Sequence, residues 1–258
     1  MKRTILTITI SGLVLTSNAQ DFKIRKLEES NPNFPEEIYI FPILEGSDNN
    51  VAQKINSYLI EDQLENEYGK EKESIFENIW QTKNSPTARI NSLSYKVELI
   101  NKKLYTVTIS GEFCSAYCEW YDMSYTFDLL SGDLLTLNTL FSIEGQDSLL
   151  QELIEYKREL IEQKIIKINE IIQSDTLDTD ERNYYQEMLD LYQDCDSEYD
   201  ELKNFRFVPS QNSIKIIYGR CSTHYYRNID ELWYFEKEII IDNWIYQLSE
   251  IGKEKLIN

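Results

Sequence analysis

Residues 104–130 read LYTVTISGEFCSAYCEWYDMSYTFDLL, and this run decides the fold class. Leu104 to Phe113 and Trp120 to Leu130 both alternate apolar and polar residues as half-buried strands do: Tyr105, Val107, Ile109 and Phe113 in the first, Met123, Tyr125, Phe127 and Leu129 in the second. Ser115-Ala116-Tyr117 between them has the length of a hairpin loop, which sets Cys114 and Cys118 face to face. Upstream, Tyr95, Val97 and Leu99 alternate before the break at Asn101-Lys102-Lys103. Downstream, Ser131-Gly132-Asp133 is a turn signal before Leu134 to Leu137. The expectation is an antiparallel meander of about four strands.

Further out, the period changes. Ile38 to Leu44 reads as a strand, and Val51, Ile55, Tyr58 and Leu59 recur at helical spacing behind a Ser47-Asp48 cap, giving a helix to about Leu64. Ile75, Phe76, Ile79 and Trp80 suggest a second helix ending before Asn84-Ser85-Pro86. Beyond the meander, a helix is expected from Asp147 to about Ile172 and another from Thr179 to about Asp194, joined as a helical hairpin at Ser174 to Asp178. Strands follow at Phe205 to Val208, Ile214 to Tyr218 and Leu232 to Ile241, and a helix from Trp244 to Leu256 closes the chain. The elements have no βαβ rhythm, so the fold class is α+β: antiparallel sheets packed with helices, the helical hairpin inserted between strands. The expected division is a signal peptide over 1–19, a lead-in over 20–37, an N-terminal subdomain over 38–113 and a C-terminal domain over 114–258 that includes the hairpin 147–201.

The chain has 258 residues, 41% hydrophobic and 28% charged, with 45 acidic residues against 26 basic and a formal charge of −19. Eighteen Tyr, ten Phe and four Trp exclude an acidic disordered chain. Such acidity also excludes nucleic acid as a partner, since counterion release needs clustered Lys and Arg. Met1-Lys2-Arg3, the apolar run Thr4 to Thr16 and Ser17-Asn18-Ala19 form the three parts of a cleavable signal peptide, with cleavage after Ala19 and a secreted or periplasmic destination. The run is shorter than the ~20 residues of a membrane span, and no later segment is apolar enough for one. Cleavage removes two bases and no acid, moving the formal charge to −21. Acidity concentrates between Ser174 and Glu201, where eleven acids, among them Asp175, Asp178, Asp180, Glu181, Asp194, Asp196, Glu198, Asp200 and Glu201, meet only Arg182.

Export makes disulfides the default for Cys114, Cys118, Cys195 and Cys221. On one straight strand Cys114 and Cys118 would lie about 13 Å apart, beyond the roughly 7 Å reach of a disulfide, so they bridge a turn or pair elsewhere. The strand-like flanks favour Cys114–Cys118, leaving Cys195–Cys221. The rival, zinc held by these cysteines with His224, is disfavoured by the compartment and by the Cys-x3-Cys spacing. One histidine cannot build a two-histidine metal site, and no nucleophile elbow, phosphate loop or dinucleotide fingerprint occurs. No cofactor is expected. The one enzymatic alternative is a glycan hydrolase using Glu112 and Glu119 beside the cysteine hairpin, since glycosidases need only two carboxylates about 5 to 10 Å apart.

The run from Ser110-Gly111-Glu112-Phe113 through Phe127-Asp128-Leu129, Gly132, Leu135-Thr136-Leu137 and Leu140-Phe141 resembles the signature of an extracytoplasmic bacterial domain of unknown function, the RsiV-like domain. Phe205 to Gly219 and Ile239 to Leu256 are similar to the rest of it, and Ile38 to Phe113 resembles its small N-terminal partner domain. That domain forms the outer part of lysozyme-sensing anti-sigma factors and also accompanies peptidoglycan deacetylases. The resemblance implies a non-catalytic envelope binding domain whose partner is a basic protein such as lysozyme or a cell-wall glycan. Neither a deacetylase domain nor a cytoplasmic sigma-binding segment is found here, so deacetylation and sigma regulation do not carry over. The expected contact surface is Tyr117, Trp120 and Tyr121 with His224, Tyr225 and Tyr226, together with the acidic hairpin. A purely structural envelope protein is the third alternative.

Overall fold

The computed structural model describes residues 22–80, 89–114, 118–174, 177–195, 201–222 and 228–257. The first sheet holds six strands in chain order: β1 (Phe22–Asn31), β2 (Phe34–Gly46), β3 (Arg89–Ile100), β4 (Leu104–Cys114), β5 (Cys118–Asp128) and β6 (Leu134–Leu135). All neighbours are antiparallel except β2 and β3, which run parallel, so the sheet is mixed rather than purely antiparallel. The reason lies between them, where helix α1 (Asn49–Leu64) crosses back over the sheet. Its start is capped by Asp48, which accepts from Asn50 and Val51 N–H. Val51, Ile55, Leu59 and Leu64 sink onto Tyr39, Phe41, Tyr105, Val107, Ile109, Tyr125 and Phe127, forming the first core. Asn56 on this helix donates to Leu44 O and accepts from Leu44 N–H, both at 2.9 Å, which ties α1 to β2 and leaves neither backbone group orphaned.

The second core lies in the C-terminal half. A short α2 (Leu137–Leu140) leads into α3 (Ile143–Ile172), which packs against α4 (Thr179–Gln193) as the expected helical hairpin. A 3-10 turn (Leu202–Asn204) precedes a second, antiparallel sheet of β7 (Arg206–Pro209), β8 (Ser213–Tyr218) and β9 (Phe235–Ile240). Leu149, Leu153, Ile161 and Ile168 of α3, Met188 and Tyr192 of α4, and Phe207, Ile214, Ile216 and Phe235 of the small sheet close this core. Two glycines permit backbone contact that any side chain would block: a Cβ on Gly145 would lie 2.1 Å from Gln247 O, and one on Gly252 2.0 Å from Leu140 O.

Three expectations are corrected. The segment assigned as a lead-in over 20–37 is, from Phe22, the first strand and the start of the second, with Pro32 in the turn between them. Its charges mark an edge strand, where polar side chains blunt unwanted pairing, rather than a loop. Ile75 to Trp80 forms turns in place of a helix, because a single turn buries Ile75 and Phe76 without enough length to repay nucleation. The closing helix expected from Trp244 to Leu256 is helical only at α6 (Glu250–Leu256), while a short α5 (Ile241–Trp244) follows the last strand directly. Leu248 bridges to Phe141 between them, and Ser249 caps α6 by accepting from Gly252 N–H. The expected boundary at 113/114 falls inside the β4–β5 hairpin, whose strands share one sheet. Among the described residues no helix is long and apolar enough to cross a membrane.

Candidate functional site

The tip of the β4–β5 hairpin carries the first candidate. Cys114 and Cys118 pair directly across the strands and are joined as a disulfide, and Cys195 is joined to Cys221. All four sulfurs are thereby consumed, which removes the zinc reading.

The same register decides the fate of the carboxylate pair. Directly opposed residues share a face of a sheet and successive residues alternate. Glu112 opposes Trp120, whereas Phe113 opposes Glu119, so Glu112 and Glu119 point to opposite faces. Each is held by a different partner: Asn91 Nδ2 donates to Glu112 Oε2 at 3.2 Å, and Arg220 donates to Glu119 at 2.8 Å. Two groups that must flank one glycosidic bond cannot do so from opposite sides of a sheet, and the hydrolase reading loses its pair. Counting outward from facing cysteines would have given this result from the sequence.

Trp120 and Tyr121 separate for the same reason. Trp120 keeps 56% of its surface exposed, on the face that also carries Glu112, Ser110, Asp122, Thr108 and Ser124. Ser110 donates to Asp122 at 2.5 Å and Thr108 to Glu98 at 3.2 Å, so this open stretch of sheet is polar and hydroxyl-rich. Tyr121 instead lies across Gly111, opposite it on β5, on the face that α1 covers. Burial, and then the Asp62 carboxylate, push its phenol up to about 12. Neighbouring Tyr125 donates to Asp62 and accepts from Gln63, both at 2.5 Å. Tyr121 is thus part of the packing of α1 and not a partner to Trp120 on one surface. Tyr117, His224, Tyr225 and Tyr226 lie outside the described residues.

The acidic hairpin is the second candidate. Asp178 is the N-cap of α4, accepting from Glu181 N–H at 2.9 Å while Glu181 accepts from Asp178 N–H at 3.0 Å. These two acids are structural. Asp194 is the C-cap, and Glu201 pairs with Lys203. Asp180, Glu187 and Asp190 remain exposed on α4. The one base of the stretch, Arg182, donates to Ile172 O at 2.5 Å and Ser174 O at 3.3 Å, closing the end of α3. Asp175, Asp196, Glu198 and Asp200 lie outside the described residues.

Two buried polar knots had no signal in the sequence. Tyr192 donates to Asp230 at 3.0 Å and accepts from Glu231 and Leu232 N–H, while Asp230 also accepts from Ser222 N–H beside the Cys195–Cys221 disulfide. Their residues are 38 apart, so no periodicity connects them. Asp128, at the end of β5, accepts from Lys255 of α6 at 2.8 Å, across a separation of 127 residues. This pair lies at an open cleft of about 480 Å³ between the Asp128–Leu135 turn and α6.

No family model and no curated protein matches the sequence. Among solved structures, a DUF3298-family member from Bacteroides fragilis superposes with a TM-score of 0.56 at 15% identity, over 93% of this chain and 98% of that one. A DUF3298-family protein from Pseudomonas aeruginosa gives a TM-score of 0.50 at 12% identity, over 89% and 94% respectively. The chain therefore shares its fold with bacterial proteins of the DUF3298 family, a domain of unknown function, over nearly its whole length.

Proposed function

We propose that the protein is a non-enzymatic binding protein of the bacterial cell envelope, exported by its first 19 residues, and that the outer face of α4 docks a basic protein of the lysozyme type. One observation carries this reading: Arg182, the only base among the acids of this hairpin segment, is spent on backbone carbonyls, leaving Asp180, Glu187 and Asp190 exposed. A surface of one sign raises the rate of encounter with a partner of the other. The two disulfides and the resemblance to an extracytoplasmic domain support the compartment.

The test is retention of the purified chain on immobilised lysozyme across a salt series. Retention is expected at low salt, falling as the Debye length shrinks from about 30 Å at 0.01 M to about 10 Å at 0.1 M. The triple variant Asp180→Lys, Glu187→Lys and Asp190→Lys should lose it. No retention at low salt, or retention indifferent to both salt and the variant, rejects the reading. A second reading, a cell-wall glycan, rests on the exposed indole of Trp120 over the hydroxyl-rich sheet face; pelleting with insoluble peptidoglycan, lost in Trp120→Ala, is its signature. Export is checked by the mass of the chain recovered outside the cytoplasm, which should begin at Gln20.

A further inference from the structure

The two disulfides sit in different surroundings, and the difference bears on their chemistry. Cys195 and Cys221 both pack against the second core. Cys114–Cys118 lies at the tip of the β4–β5 hairpin, and its halves are unequal: Cys114 is buried, with 8% of its surface exposed, whereas Cys118 is exposed. A disulfide exchanges by attack of a thiolate on one of its sulfurs, and access helps to decide which one is attacked. Here access selects Cys118. Exposed disulfides are also opened more readily than packed ones.

The leaving group is then the sulfur of Cys114, and a donor already rests against it. Asn91 Nδ2 donates to Cys114 Sγ at 2.7 Å and to Glu112 Oε2 at 3.2 Å. This amide sits where negative charge develops when the sulfur–sulfur bond breaks, and a hydrogen bond to a charged acceptor is stronger than one to a neutral acceptor. A carboxylate completes the site: an oxygen of Glu112 and the two sulfurs all lie within 4.8 Å of one another. Its charge acts on whatever approaches, favouring a thiol that brings positive charge and opposing one that brings negative charge.

We propose that Cys114–Cys118 is a site of thiol–disulfide exchange for small thiols that carry a positive charge. The incoming thiolate attacks Cys118 Sγ, a new sulfur–sulfur bond forms there as the bond to Cys114 breaks, and Cys114 leaves as a thiolate held by Asn91. No net oxidation or reduction occurs: the proton lost by the incoming thiol goes to water, from which the Cys114 thiolate can take one up. Return of Cys114 onto Cys118 expels the thiol and restores the bridge. Glu119, next to the attacked cysteine, is anchored by Arg220 at 2.8 Å, so the modification stays local to the hairpin tip. The exchange does not depend on docking at α4.

The probe is cysteamine, compared with mercaptoethanesulfonate at matched thiolate concentration on the full exported chain, with free thiols trapped by N-ethylmaleimide and the products mapped by peptide mass. The expected product carries cysteamine on Cys118 and maleimide on Cys114, while Cys195–Cys221 remains closed and far-ultraviolet dichroism remains that of the folded chain. Cysteamine should react about tenfold faster than the sulfonate, and Glu112→Gln should remove most of that difference. Asn91→Leu should slow the exchange about tenfold without moving the adduct, through loss of one hydrogen bond to a charged leaving group; a hairpin loosened by the substitution would react faster instead. Adduct on Cys114, opening of Cys195–Cys221 at an equal or higher rate, or no adduct until the chain unfolds overturns the proposal. So does a cysteamine preference unchanged in Glu112→Gln, or a rate unchanged or raised in Asn91→Leu.

Discussion

The ammonium of Lys255, with 4% of its side chain exposed, meets an Asp128 carboxylate that is 13% exposed, and few contacts in the molecule are so dependent on both partners being present. Lys255→Met leaves Asp128 buried without its counter-charge, which costs about 3 to 5 kcal/mol when one partner of a buried pair is removed. Guanidinium unfolding should show that loss, and a change under about 1 kcal/mol would mean that water reaches the pair. The pair also carries a pH signature. Burial pulls the Lys255 pKa down, but its bonds to Asp128 and Glu254 outweigh this and hold it above the ordinary lysine value. A raised folded-state pKa contributes stability that is complete below the unfolded value, about 10.4, and disappears as pH rises past it. Tyr105, Tyr125 and Tyr192 add to the same slope, because burial above all raises each phenol, helped at Tyr125 by its hydrogen bond to Asp62 and at Tyr192 by the charge of Asp230. Stability should therefore fall steeply above pH about 10, and tyrosinate absorbance should lag behind that of a free tyrosine until the chain unfolds.

At the level of elements, the close approach of α6 to α2 at Gly252 and of α3 to the 245–248 turn at Gly145 fixes how the C-terminal helices sit. Gly252→Ala sets a methyl group 2.0 Å from Leu140 O, a backbone atom that cannot swing aside. A loss of about 1 to 3 kcal/mol is expected, as for other overpacked sites, and circular dichroism melting would register it. The two disulfides should differ in weight. Cys195–Cys221 closes a loop with a sequence separation of 26, and Cys114–Cys118 one of 4. Chain-entropy arguments give about 3.5 kcal/mol for the longer loop and about 2 kcal/mol for the shorter. Cys195→Ser/Cys221→Ser should accordingly lower the denaturation midpoint more than Cys114→Ser/Cys118→Ser. The reverse order would show that the hairpin tip contributes more than loop closure.

The whole molecule consists of two cores that meet where the six-stranded sheet ends. Lys255 on Asp128 and Lys103 on Ile257 O at 2.8 Å cross between the sheet and the C-terminal helices. Unfolding should follow a single transition in the unaltered chain and split into two in Lys255→Met, with fluorescence and far-ultraviolet dichroism no longer coinciding. The α+β class, the β3–β5 meander, the α3–α4 hairpin and both cysteine pairings were legible in the amino-acid sequence. Each rests on local periodicity, a cap or a turn, which a linear reading can count. Even the separation of Glu112 from Glu119 followed from register once the cysteines faced each other. What needed the folded chain was anything joining distant segments. The edge strand Phe22–Asn31 looked like a loop because its partner, not its own pattern, makes it a strand. Asp128 meets Lys255, and Tyr192 meets Asp230, across separations of 127 and 38 residues. Hydrophobic period and turn chemistry act over a few residues and so are written in the sequence. Desolvation and charge pairing depend on which surfaces come together, and only the tertiary structure decides that.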